Sequence, residues 1–242
     1  MIRRRPANER GHASYGWLDT YHTFSFADYY DPDHVQFRHL RVLNEDRVKP
    51  GAGFSTHGHR DMEILTILLH GAIEHQDSTG VHGVIERGDV QRMTAGTGVL
   101  HSEKNPSATE PAHLLQIWIV PDQRGLAPSY EQRSFDEAGR RGKWQVIAAR
   151  DGRDGALTIH QDAIASMAMI EPGQILAYPL KLGRYAWLQV ARGGVALRSA
   201  AVPQGLDLDA GDGAAITDET DLVVVGQKPD GGLAEVVMFD MG

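Results

Sequence analysis

Residues 51–63 read Gly51-Ala52-Gly53-Phe54-Ser55-Thr56-His57-Gly58-His59-Arg60-Asp61-Met62-Glu63. Side chains two apart on a strand project to the same face, so a strand through this stretch presents His57 and His59 together. A later stretch, Gly96-Thr97-Gly98-Val99-Leu100-His101-Ser102-Glu103-Lys104-Asn105, aligns His101 with Glu103 by the same alternation. If the two strands are neighbours lining one barrel, three imidazoles and one carboxylate converge from two rigid elements. That donor set suits a divalent transition metal, Fe, Mn, Co, Ni, Cu or Zn, because imidazole and carboxylate are borderline-to-hard ligands. Four protein ligands in an octahedral field leave about two positions for water, O2 or a chelating substrate. Cys is absent, which excludes disulfides, thiolate zinc sites, iron–sulfur clusters and cysteine nucleophiles.

Around these stretches the apolar runs are short and punctuated by Gly, Asp and Pro. Strands are expected over 39–43, 62–70, 72–76, 90–93 and 113–120, and again over 157–160, 185–190, 195–198, 214–217, 222–225 and 235–239. Regular short strands separated by turn residues indicate an all-β sandwich or barrel. Helical periodicity is weak, and 130–138 is read as a helical or irregular bridge. Pro121 and Pro128 around Gly125 mark a linker.

A shift of 123 residues superposes Leu65 on Leu188, Ile67 on Val190, Gly71 on Gly194, and Glu86-Arg87-Gly88-Asp89 on Asp209-Ala210-Gly211-Asp212. The favoured reading is two similar β-barrels in tandem. The same shift places Leu180, Leu182, Val224 and Gly226 where His57, His59, His101 and Glu103 stand, so the second barrel is expected to lack a metal site. The histidines agree: eleven of the twelve lie within the first 113 residues. His160 stands alone and is read as having no functional role.

Composition bounds the rest. The 242 residues suit one to two domains at about 150 residues each. Lys and Arg total 24 against 32 for Asp and Glu, a net charge of −8 that argues against a nucleic-acid surface. No window is apolar enough to span a membrane and no secretory signal is recognisable, so the chain is expected in the cytoplasm. No nucleophile elbow, Walker A or dinucleotide-binding glycine motif is present. Trp17, Phe24 and Phe26 could rim a cavity for a flat aromatic ligand, although core packing is the simpler reading.

The two histidine stretches resemble the paired motifs of the cupin superfamily. Gly51, His57, His59 and Glu63 follow the first, with Gly71 one place later than usual, and Gly98, His101 and Asn105 follow the end of the second. The second motif lacks its usual Pro, and its spacing from Gly88 is two residues longer. The closer resemblance is to pirins, which are bicupins. It is carried by Gly16–Phe26, by His57–Glu63, by Met93–Glu103 and by Gln116–Pro121. It is strong over about residues 10–125, diffuse afterwards, and nearest the bacterial pirin-like proteins with quercetin 2,3-dioxygenase activity.

The resemblance implies two tandem cupin (jelly-roll) barrels: an N-terminal metal-binding domain over 1–125 and a C-terminal cupin domain without metal ligands over 126–242. It implies His57, His59, His101 and Glu103 as ligands, usually to Fe(II). The residues alone leave the fourth ligand open between Glu63 and Glu103. Glu103 is preferred because it needs no assumption about the 60–62 segment. The implied reaction is cleavage of the central ring of a flavonol by O2 with release of carbon monoxide, Glu103 serving as ligand and as base for the flavonol hydroxyl. The alternative is a redox-sensing regulator that binds a protein partner through its metal-loaded N-terminal barrel. A monomer is the expected assembly.

Overall fold

The computed structural model describes residues 1–227 and 232–242. The expected all-β architecture is observed: strands dominate, and among the described residues the one α-helix is a single turn, Glu137–Arg140. No described helix is long and apolar enough to cross a membrane. The chain forms two compact units. The first comprises Gly11–Phe135 with Leu157–Gln161; the second comprises Met1–Arg10, Asp136–Ala156 and Asp162–Gly242.

In the first unit an antiparallel sheet runs in the order Ser129–Ser134, Asp89–Thr94, Glu63–His70, Ala112–Ile119, Leu40–Val48, Leu18–His22 and Gly11–Ser14. A four-stranded antiparallel sheet, Gly53–His59, Val99–Lys104, Ala72–Asp77 and His82–Glu86, forms the other wall. Alternation along these strands sends one set of side chains inward. At one end the interior is filled by Leu18, Val48, Leu68, Ile73, Ile85, Ala112 and Leu114, and elsewhere by Ile64, Met93, Ala95 and Val99. Between these two apolar clusters one row of the large sheet is polar. Cross-strand pairing aligns His22, Asn44, Gln116, Thr66 and Gln91, all buried.

The second unit repeats the plan. Its larger sheet includes Ile2–Arg5, Gly213–Ile216, Tyr185–Arg192, Ala234–Met241, Ala163–Ile170 and Gln145–Ala149 in that order. Its smaller sheet runs Ile175–Pro179, Asp221–Gln227, Gly194–Arg198 and Leu206–Asp209. The equivalent inner row reads Val146, Ser166, Met238, Leu188 and Ala214. The interior it joins is a continuous apolar cluster that includes Leu176, Tyr178, Leu197, Leu222 and Val224.

Two sequence expectations change. Residues 130–138 are mostly strand: Ser129–Ser134 pairs with Asp89–Thr94 at the edge of the large sheet. The segment Ser-Tyr-Glu-Gln-Arg-Ser has no apolar alternation because its links are polar. Arg92 bonds Ser129 Oγ at 2.7 Å and pairs with Glu131. The register also replaces the fixed 123-residue shift for the first histidine pair and for the strand Glu63–His70, where Thr66 rather than Leu65 takes the place of Leu188. His57 and His59 lie opposite His101 and Val99, as Leu176 and Tyr178 lie opposite Val224 and Leu222. Leu180 and Leu182 fall beyond that strand, because the connections between strands differ in length between the units.

Candidate metal centre

The strands Gly53–His59 and Val99–Lys104 are neighbours, with His101 directly opposite His57. Their close approach needs Gly53, where an added Cβ would lie 2.2 Å from the Glu103 carbonyl oxygen. The register slips between His101 and Glu103, so Glu103 pairs with Phe54. Such a bulge re-aims side chains, and it lies beside the convergent imidazoles.

His57, His59 and His101 meet: their ring centroids are 4.4–4.8 Å apart, and each offers a nitrogen within 4.8 Å of the others. Glu103 falls in the adjoining group, His75, His101 and Glu103, defined by the same distance. Both groups lie in the first unit; among the described residues no such group is found in the second.

Hydrogen bonds orient the rings. His57 Nδ1–H donates to the Ser55 carbonyl at 2.8 Å, leaving Nε2 as a lone pair. Asp77 is fixed by donors from Thr79 and Val81, and its Oδ2 accepts from His75 Nε2–H at 3.1 Å. His75 Nδ1 is therefore an acceptor, 3.4 Å from Gln91 Nε2 and 3.5 Å from His101 Nδ1, while the opposite nitrogen of His101, Nε2, points toward His57. The two Nε2 atoms face each other at 3.1 Å. Two nitrogens each about 2.1 Å from one ion, at right angles, lie about 3 Å apart.

Electrostatics point the same way. Burial, and secondarily the neighbouring His57, lowers His59 to about 4. Burial and the surrounding histidines lower His101 to about 3. Both imidazoles are thus neutral at pH 7, the form that binds metal. Burial raises Glu103 to about 7 against the opposing hydrogen bond from Gln116. Gln116 Nε2 donates to Glu103 Oε2 at 3.1 Å, and Thr66 Oγ1 donates to Gln116 Oε1 at 3.0 Å. Glu103 Oε1 is buried with no hydrogen-bond partner. An orphaned carboxylate oxygen beside neutral imidazoles is what a divalent cation would satisfy.

Glu63 is placed differently. Asp61, at φ +48°, turns the chain between the His57–His59 strand and the next, so parity does not carry from His59 to Glu63. Glu63 is fully buried; its Oε2 accepts from Thr94 Oγ1 at 3.0 Å, and Oε1 pairs with His160 Nδ1 at 3.0 Å. His160, read from sequence as without a role, is that carboxylate's partner. His75 carries no paired-spacing signal in the sequence; the cross-strand register places it opposite Glu103.

The centre opens onto a cavity of about 570 Å³ whose walls include His57, His59 and Glu103. Trp17 and Phe26 line it, contrary to the core-packing reading, whereas Phe24 is buried in the core. Trp17 packs edge-on against Phe54 at 5.2 Å, and Phe26 against Trp118 at 5.4 Å. Thr20, His22, Asn44, Asp46 and Gln116 supply the polar lining.

The chain is similar to known proteins along its whole length. A family model described as Pirin matches residues 3–119, and one described as the quercetinase C-terminal cupin domain matches residues 146–241. The Escherichia coli K12 protein named quercetin 2,3-dioxygenase is 46% identical over 242 residues, covering 100% of this chain and 99% of that protein. The crystal structure of the bacterial pirin YhhW from Escherichia coli in complex with nickel(II) superposes with a TM-score of 0.91 at 44% identity, covering 100% of this chain and 99% of that one. A quercetin 2,3-dioxygenase structure from Acinetobacter baumannii shares the fold, with a TM-score of 0.71 at 22% identity over 96% of this chain and 83% of its own.

Proposed function

The chain belongs to the pirin family, a metal-dependent branch of the cupins, and on that premise we propose that it is a quercetin 2,3-dioxygenase, opening the central ring of flavonols or related phenolic chelators with O2. We assign the chemistry to the N-terminal domain, expected at residues 1–125 and folded as the unit Gly11–Phe135 with Leu157–Gln161, with His57, His59, His101 and Glu103 holding one divalent metal, Fe(II) in the cell. We assign the other unit a structural role. The observation that carries the reading is the convergence of three imidazoles and an orphaned carboxylate oxygen at the wall of an aromatic-lined cavity.

When bound, the metal supplies a Lewis acid that makes a chelating hydroxyl more acidic, and a redox centre for O2. The protein's own groups do the rest. Trp17, Phe26, Phe54 and Trp118 hold a flat ring system and keep water from it. Glu103 Oε1 takes the proton of the flavonol hydroxyl, the carboxylate serving as ligand and as base. Gln116, anchored by Thr66, holds the other oxygen so that Oε1 keeps its direction.

Oxygen uptake with quercetin tests the proposal. Uptake is expected in metal-loaded protein, and its loss after chelation with recovery on adding Fe(II). Undiminished turnover of quercetin without metal, or none with any of the candidate metals, would refute it.

A further inference from the structure

One wall of the cavity carries a polar strip that the proposed reaction leaves unused. Thr20 lies opposite Asp46 and His22 opposite Asn44 on the strands Leu18–His22 and Leu40–Val48, and all four line the cavity. His22 Nδ1–H donates to Asn44 Oδ1 at 3.0 Å, and the Thr20 hydroxyl bonds the Asp46 carboxyl. Asp46 Oδ1 has no hydrogen-bond partner, although the residue is only 4% exposed. A buried acceptor of this kind is costly unless something fills it, and the residue that carries it lines the cavity.

The surroundings define what would fill it. Glu103 and Glu45 are the ionisable groups that act on this carboxyl or are acted on by it, and both are acids. Glu45 is engaged by Arg47 and His113 at 2.8 and 2.9 Å. An anionic ligand end would be repelled, whereas a neutral hydroxyl can donate. The aromatic pairs Trp17–Phe54 and Phe26–Trp118 belong to opposite sides of the Gln116 row, so a planar ring fits the same space. We propose that Asp46 is a specificity residue: its Oδ1 accepts a hydrogen bond from a hydroxyl substituent on the substrate's outer ring. The protein thereby selects ring-hydroxylated aromatic chelators over unsubstituted ones. The catalytic part of this inference rests on the ring-cleavage reading; the binding part does not.

The test compares quercetin, hydroxylated on both outer rings, with 3-hydroxyflavone, which has no outer-ring hydroxyl. Wild-type protein should favour quercetin in kcat/KM, and Asp46→Ala should cut the ratio of the two values about tenfold. Asp46→Asn, isosteric and retaining an acceptor oxygen, should give an intermediate ratio. Quenching of tryptophan fluorescence in the metal-free protein should rank the affinities in the same order, since Trp17 and Trp118 line the cavity. A ratio and a relative affinity both unchanged within twofold in Asp46→Ala, with melting curves showing folded protein, would overturn the proposal. If wild-type protein consumes no oxygen with either flavonol, the ring-cleavage reading fails, and the metal-free titration alone decides the role of Asp46.

Discussion

The two units share a plan of a large and a small antiparallel sheet but differ along one row. In the first, His22, Asn44, Gln116, Thr66 and Gln91 cross the large sheet and reach the opposite wall through Gln116 to Glu103 and Gln91 to His75. In the second, the equivalent row is Val146, Ser166, Met238, Leu188 and Ala214, facing Leu222 and Val224. The same scaffold therefore stands with or without a polar interior. What distinguishes the two is a handful of inward positions, and the polar set is tolerated because its members form hydrogen bonds within the interior, with Glu103 Oε1 left for an ion. Gly226, at the place of Glu103, accepts no side chain: an added Cβ would lie 2.1 Å from the Glu171 carbonyl oxygen.

The largest expected effect breaks the first unit's side of this contrast. His101→Ala should lower metal affinity by more than the roughly 100-fold that an outer-shell change costs, read as loss of bound metal after dialysis. Next, exchanging the row residues should act differently in the two units. Met238→Gln buries an amide with only Ser166 as a polar neighbour in the row and should cost about 2–4 kcal/mol in guanidinium unfolding. Gln116→Met removes the hold on Glu103 and should weaken metal binding about 10–100-fold. A smaller effect separates the two carboxylates. Glu63→Gln should leave about one metal per chain while costing about 1–3 kcal/mol through its lost partners Thr94 and His160, whereas Glu103→Gln should lower metal occupancy.

The smallest effect is on pH dependence. Burial raises Asp46 to about 7 from 3.8, so the folded state holds this proton more tightly than the unfolded chain does. Its contribution favours folding below about pH 4 and is lost as pH rises through about 7. In metal-free protein Asp46→Asn should therefore raise the melting temperature relative to wild type by more at pH 8 than at pH 5. Parallel melts at the two pH values read this out.

Much of the fold and of the candidate centre was legible because it is written in short-range patterns. Alternation placed His57 with His59 and His101 with Glu103, and the repeat announced two similar barrels. What escaped depends on pairing between distant segments. His75 gains its place only from its register with Glu103, and Glu63 finds its partner in His160, far along the chain. The strand Ser129–Ser134 is stabilised by polar cross-strand contacts rather than by an apolar face. The polar row was hidden for the same reason, since its five residues come from five strands and share no sequence motif.

The central claim is best tested by anomalous diffraction from crystals of metal-loaded protein, collected at the absorption edge of the bound ion. The account predicts one strong peak per chain within bonding distance of His57, His59 and His101 and of a Glu103 carboxylate oxygen, with none inside the second unit. A peak elsewhere, or none in protein shown to contain metal, would contradict it.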